Sequence, residues 1–329
     1  MMPNIQKTTL IASLMMGTMI SISSLSWFNA WIGLEMNMIM FMPLIMEKNT
    51  KTSEASMKYF LTQTMASLIL LMSSTMPTVM PNMTTSESMT LITLALLIKI
   101  GASPTHFWLP TVMEGLSWKS CMLITTWQKI APLLLLSYML PTTKAMFIPI
   151  IILSVMTGTM GGLNQNLLRK LMAFSSINHM GWILSGMLMG NSWLIYFTMY
   201  CMLSLTVMFT FMTSGSFHMN QLYFTKTPPE MKLMCTLSLL SLGGLPPTAG
   251  FIPKLMIISL LCESNMTTLA LTISLPSLIS LYFYMRTSTS GILLSTNSVK
   301  WKTTLKKYPM LTVMSIASLP ASTTALLMM

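Results

Sequence analysis

The chain has 329 residues, of which 53% are apolar and 8% charged, and its mean hydropathy is +0.68. A soluble domain carries about 25% charged residues, so this composition excludes an ordinary water-soluble enzyme, a nucleic-acid-binding domain and a disordered chain. The net charge of +11 comes from 18 Lys and Arg against seven Glu, scattered between apolar runs rather than gathered into the dense basic stripes that grip phosphates.

A helix needs about 20 apolar residues to cross the hydrocarbon core of a bilayer. In chain order the candidates are 5–25, 27–46, 57–78, 88–110, 120–140, 145–163, 170–190, 192–213, 232–262, 266–286 and 308–329. The first begins in MMPNIQKTTLIASLMMG, which has no small-residue cleavage site and reads as a helix that stays in the membrane. The ninth is too long for one straight span.

Lys and Arg concentrate on the untranslocated side of a membrane. With eleven spans, fourteen of them fall on the side of the N-terminus and only Lys144 on the other. A wrong count in mid-chain would scramble that asymmetry, so the N-terminus is expected on the cytoplasmic or matrix side and the C-terminus opposite.

Four charges fall inside apolar segments: Glu35 in WIGLEMNMIMF, Lys99 in LALLIKIGASP, Lys129 in TTWQKIAPLLLL and Lys254 in GFIPKL. Glu35 follows Trp27 by eight residues, about 12 Å at 1.5 Å per residue, near the middle of a core about 30 Å thick. An ionised side chain there costs roughly 2.5–3.5 kcal/mol on insertion scales. A lysine stem can carry its ammonium to the interface, but the short stem of Glu35 cannot. Low dielectric penalises the charged form of either group, so an acid and a base placed together in a membrane can pass a proton. These four are the candidate proton carriers. His179, in SSINHMGWILSG, has the right intrinsic chemistry to join them, although a histidine simply hydrogen-bonded between helices fits equally well. His106 follows the break in the fourth span, and His218 falls in a loop.

Spans four and nine carry helix breakers beside their lysines: Gly101 and Pro104 just after Lys99, and Gly243, Gly244, Pro246, Pro247, Gly250 and Pro253 just before Lys254. Such sequences predict two half-helices around an unwound middle, as at ion sites in secondary transporters. Spans four and nine are five apart and so cross in opposite directions. The expected fold is therefore an all-α polytopic membrane protein of about 11 transmembrane helices, in two inverted five-helix repeats with discontinuous helices. Residues 1–140 form the first repeat, 141–290 the second, and 291–329 a loop and a last helix. Cys121, Cys201, Cys235 and Cys262 lie far apart and read as free buried thiols, and no Cys/His cluster could hold haem, iron–sulfur or another metal. No GxGxxG or GxxxxGK[ST] motif offers a nucleotide site.

Several stretches carry a family resemblance: WFNAWIGLE from Trp27, EASMKYFLTQTMAS from Glu54, IKIGASPTHFWLP from Ile98, TTWQKIAPL from Thr125, GGLNQNLLRKLMAFSSINHMGW from Gly161 and LSLGGLPPTAGFIPKL from Leu240. In that order, over about residues 10–285, the chain resembles the antiporter-like membrane subunits of NADH:ubiquinone oxidoreductase (respiratory complex I) encoded by animal mitochondria. The resemblance implies a proton-translocating subunit of the mitochondrial inner membrane, shortened by three helices relative to its family. It further implies that Glu35 and Lys99 form a coupled pair, that Lys129 is central and that Lys254 lies toward the exit. The chain itself would bind no cofactor, with NADH, FMN, iron–sulfur clusters and ubiquinone acting in other subunits. Expected partners are the other membrane and accessory subunits and phospholipids, cardiolipin among them, with no nucleic acid. Thr105 and Leu255 stand where the family commonly has aromatics. The 41 Met residues fit a mitochondrial code that reads an extra codon as Met, a soft apolar filler. The rival reading is a free-standing cation/proton antiporter, which would share the broken helices and buried lysines.

Overall fold

The computed structural model describes residues 4–46, 49–79, 85–224 and 229–293. The expected last span, 308–329, lies outside the described residues. All named elements are helices, and the chain divides into two compact units, Met1–Ile150 and Ile151–Met329.

The first unit contains α1 (Asn4–Ser23), α2 (Trp27–Ile45), α3 (Thr50–Val79), α4 (Thr85–Ile100), α5 (Trp108–Gly115), α6 (Trp118–Thr125) and the start of α7 (Trp127–Gly162), which bends at Thr143. The turn between α1 and α2 is closed by Ser26, whose hydroxyl accepts the Asn29 N–H. Packing of α1 on α2 depends on small residues. A Cβ on Gly33 would lie 2.5 Å from the Ser21 backbone nitrogen, and one on Gly17 would lie 3.0 Å from that of Asn37. Without a hydrophobic drive between helices in lipid, such close backbone approach supplies the association energy. Next in space, α3 packs on α2, α4 and α5.

The second unit contains the remainder of α7, α8 (Leu168–Leu188), α9 (Ser192–Ser214), α10 (Met219–Phe224), α11 (Pro229–Gly243), α12 (Phe251–Glu263) and α13 (Thr267–Leu293). Its centre is α8, buried from Leu168 to Met187 on nearly every face. Gly158 admits the Asn178 backbone, and Gly181 admits Ser154 and Val155, so α7 and α8 touch through glycines on both sides.

Much of the exposed surface is apolar, and a set of polar residues is buried within a mainly apolar interior. On α3 the exposed residues are Met57, Leu61, Met65, Leu68 and Met72, spaced as one helical face, while Ser56, Gln63, Ser67 and Ser73 are buried. The outer face of α13 shows Leu271, Leu275, Leu278 and Tyr282. Buried hydroxyls are satisfied within their own helices: Ser21 donates to the Thr18 carbonyl, Ser73 to Leu70, Ser154 to Ile151 and Ser175 to Met172, at 2.7–2.9 Å. This is the pattern of a protein dissolved in lipid.

Among the described residues, six helical segments are long and apolar enough to cross a membrane: Ile5–Ser23, Trp27–Ile45, Trp118–Leu140, Thr143–Gly162, Ser192–Ser214 and Thr267–Thr289. Helices also stand at the expected third, fourth, seventh and ninth spans, but they fall short of that standard for physical reasons. The fourth and ninth are interrupted, leaving α4, α5, α11 and α12 short, while α3 and α8 carry many of the buried polar residues. The expected fifth span, 120–140, is subdivided at Thr126, where α6 gives way to α7. Of the four thiols only Cys121 is buried, and Cys262 is exposed at the end of α12. An apolar segment here has a lipid-facing side, so apolar context alone does not imply burial.

Candidate functional site

The two helix breaks share one construction. In the first, Gly101 at φ +78° ends α4, with the Ala102 N–H bonded to the Leu97 carbonyl at 3.2 Å and the Gly101 N–H to that of Ile98 at 3.1 Å. In the second, Gly244 at φ +78° ends α11, with Leu245 N–H on the Leu240 carbonyl at 3.5 Å and Gly244 N–H on that of Ser241 at 3.1 Å. Both are Schellman caps, which require the left-handed conformation that only glycine adopts without strain. A proline follows each, and the next helix starts seven residues after the glycine, at Trp108 and at Phe251.

A helix that stops inside a membrane leaves carbonyls that water cannot reach. The first unit satisfies them with neutral donors: Trp108 Nε1 donates to the Ile98 carbonyl at 3.0 Å, and Gln63 Nε2 to that of Lys99 at 3.4 Å. In the second unit the donor is an ammonium, as Lys254 Nζ reaches back across the break to the Gly243 carbonyl at 2.8 Å. Its charge also lies over the Trp182 ring, 5.9 Å from the centroid. The negative end of the α11 dipole and an aromatic face thus hold one buried cation.

All three membrane lysines are buried, with Lys99 at 7%, Lys129 at 2% and Lys254 at 7% exposure, so each faces protein. Lys99 and Lys129 line one cavity of about 20 Å³, together with Asn37, Tyr59, Gln63 and Gln128. Since a water needs about 10–15 Å³ of such space and two to four polar partners, the cavity suits a single bridging water. Its polar wall is braced across helices by Gln128, which donates to Asn37 Oδ1 at 3.1 Å. Tyr59 packs edge-on against Phe41 and Trp108 and closes the apolar side. Glu35 is half-buried on α2, two residues before Asn37, close enough to Lys99 and Tyr59 for a charge on its carboxyl to be felt by both.

In the second unit His179 is buried on α8, and its Nδ1 is hydrogen-bonded to the Tyr196 hydroxyl of α9 at 2.9 Å. Tyr196 stacks on Trp182, the ring that faces Lys254. His179 and Lys254 therefore belong to one aromatic cluster. His106 lies in the first break with Nδ1 3.2 Å from the Pro104 carbonyl, and His218 pairs through its backbone with Leu167. Among the described residues no group of three or more His, Cys, Asp or Glu could hold a metal ion.

Of the expected site residues, Lys99 and Lys129 line one cavity, Glu35 is half-buried within electrostatic reach of Lys99, and His179 and Lys254 belong to the second unit's cluster. Sequence reasoning passed over Asn37, Tyr59, Gln63, Gln128, Trp182 and Tyr196. The usable signal was position: Gln63 follows Tyr59 by one helical turn in EASMKYFLTQ, and Gln128 directly precedes Lys129.

Broken helices around buried lysines, in helices with apolar outer faces, define an antiporter-type membrane protein. The family model for "NADH:quinone oxidoreductase/Mrp antiporter, TM" matches residues 24–280. NADH-ubiquinone oxidoreductase chain 2 of Locusta migratoria is 40% identical over 331 residues, covering 96% of this chain and 94% of the relative. A chain of respiratory complex I from Thermus thermophilus, solved with bound aureothin, superposes with a TM-score of 0.78 at 20% identity, over 97% of this chain and 76% of its own. A chain of the Mrp complex from Dietzia has a TM-score of 0.75 at 17% identity, over 85% of this chain; this chain spans only 59% of its length. The chain belongs to the NADH:quinone oxidoreductase/Mrp antiporter membrane family and, within it, groups with the NADH-ubiquinone oxidoreductase chain 2 proteins.

Proposed function

We propose that this chain is a proton-translocating membrane subunit of the mitochondrial NADH:ubiquinone oxidoreductase, the enzyme that couples electron transfer from NADH to ubiquinone to proton pumping. Its family membership and its likeness over nearly the whole of a chain 2 relative support this reading. The chain works in the inner membrane, with its N-terminus on the matrix side. It crosses about eleven times in two five-helix repeats of inverted topology, and the shared construction of the two breaks supports the repeat. Other membrane subunits and phospholipids such as cardiolipin are its partners, and the redox groups belong to other chains.

The observation that carries the mechanism is the cavity shared by Lys99 and Lys129. Two ammonium-bearing side chains on one water-sized space repel when both are charged, so loading one favours discharge of the other. In the proposed cycle a change in the neighbouring subunits alters the Glu35–Lys99 interaction. A proton then passes from Lys99 to Lys129 through the bridging water and leaves by way of Lys254, with His179 available as an intermediate carrier. Replacing Glu35 by Ala tests the first step: coupled turnover should fall while the complex still assembles. Normal turnover with normal proton output would remove Glu35 from the path.

The fold match to the Mrp chain favours a second reading, a cation/proton antiporter independent of complex I. A mild-detergent gel separates the two. The complex I subunit migrates in a very large assembly that oxidises NADH, and the antiporter migrates without that activity.

A further inference from the structure

We infer that Tyr196 is a positioning residue for His179, a role that rests on the proposed proton path. The two side chains meet at 2.9 Å between His179 Nδ1 and the Tyr196 hydroxyl, and both are buried. A buried imidazole can pass a proton without losing a hydrogen bond only if one nitrogen keeps its hydrogen in both charge states. In this arrangement Nδ1–H donates to the Tyr196 oxygen throughout. Nε2 takes a proton from a neighbouring ammonium or water, forming the imidazolium, and returns it from the same atom. A phenolic oxygen suits this task, since it accepts from Nδ1–H while its own hydrogen remains free to turn elsewhere.

The tyrosine is itself held in place. Its ring stacks on Trp182 with planes 4° apart and centroids 6.3 Å apart, and Trp182 stands three residues from His179 on the same face of α8. One turn further along α9, Tyr200 packs against the imidazole with centroids 5.0 Å apart. His179 and Trp182 from α8 thus interleave with Tyr196 and Tyr200 from α9, and Lys254 of α12 covers Trp182. Of the titratable groups on the elements packed against α8, Tyr196 and Tyr200 face the imidazole directly, with Lys254 on α12 and Tyr284 on α13 nearby; α7 beyond Ile151 brings none.

The test is Tyr196→Phe in the assembled complex, which keeps the ring on Trp182 and removes only the oxygen. NADH oxidation by an artificial acceptor and the KM for ubiquinone should be unchanged. Coupled turnover should fall about two- to tenfold, the worth of one hydrogen bond, and the pH of its half-maximum should move by about half to one unit. In a His179→Phe background, Tyr196→Phe should add nothing further. An unchanged rate and pH profile would overturn the inference, as would an equal loss in the His179→Phe background. Lys129→Ala, measured in parallel, keeps the two levels apart: unchanged proton output there defeats the proton path itself, whereas loss there with normal Tyr196→Phe behaviour defeats only the role of Tyr196.

Discussion

Lys254 can be read either as a helix cap or as a proton carrier, and a pair of substitutions separates the two. In Lys254→Met the side chain keeps its length and loses its charge. The bond from Nζ to the Gly243 carbonyl, 2.8 Å long, is charge-assisted and contributes about 1.5–3 kcal/mol. Against that stands the cost of holding an ammonium in the membrane, roughly 2.5–3.5 kcal/mol. The two nearly cancel, so Lys254→Met should assemble to within about 1 kcal/mol of the parent. Lys254→Gln restores an N–H donor toward Gly243 without restoring a titratable group. The assay pairs the amount of intact complex on a mild-detergent gel with protons translocated per electron in reconstituted vesicles. A proton carrier predicts near-normal assembly and reduced translocation in both variants. A carrier role for Lys254 is refuted if Lys254→Met loses assembly while its surviving complex pumps normally, and Lys254→Gln restores assembly with normal pumping.

Three further expectations follow from the packing. Gly33→Val would place a Cβ against the Ser21 backbone, an overpacking that costs about 1–3 kcal/mol or more; the yield of assembled complex should drop, and an undiminished yield would show that α1 and α2 separate without penalty. Gly101→Ala forces a left-handed residue to carry a side chain at φ +78°, costing about 1–2 kcal/mol, and should lower the thermal midpoint of the complex; an unchanged midpoint would show that the cap accepts a side chain there. Gln128→Leu leaves Asn37 Oδ1 without its 3.1 Å donor, at about 1–3 kcal/mol, and should reduce both stability and coupled turnover; a loss confined to stability would make the Gln128–Asn37 bridge purely structural.

The breaks at Gly101 and Gly244 were legible because glycine and proline act on the backbone locally, wherever the chain lies. The buried charges were legible for a similar reason: in a segment as apolar as LALLIKIGASP, a lysine has few places to go. The wall of the cavity was not. Gln63, Gln128 and Asn37 are polar residues in helices full of serine and threonine, and only the packing of α2, α3 and α7 shows which of them turn toward Lys99 and Lys129. The same holds for Tyr196, seventeen residues from His179 in the chain and bonded to it in space. Hydropathy also misjudged the polar helices. In α8 the seryl hydroxyls bond back to the helix and the polar residues face protein, so a segment of modest hydropathy stands at the centre of the second unit.

In the proposed cycle protons cross the membrane through the buried lysines of this chain. The most direct measurement is the number of protons translocated per electron by intact complex in sealed vesicles, with and without Lys129→Ala. Proton transfer through Lys129 predicts a lower ratio at normal assembly and normal NADH oxidation by an artificial acceptor. An unchanged ratio in the Lys129→Ala complex would contradict it.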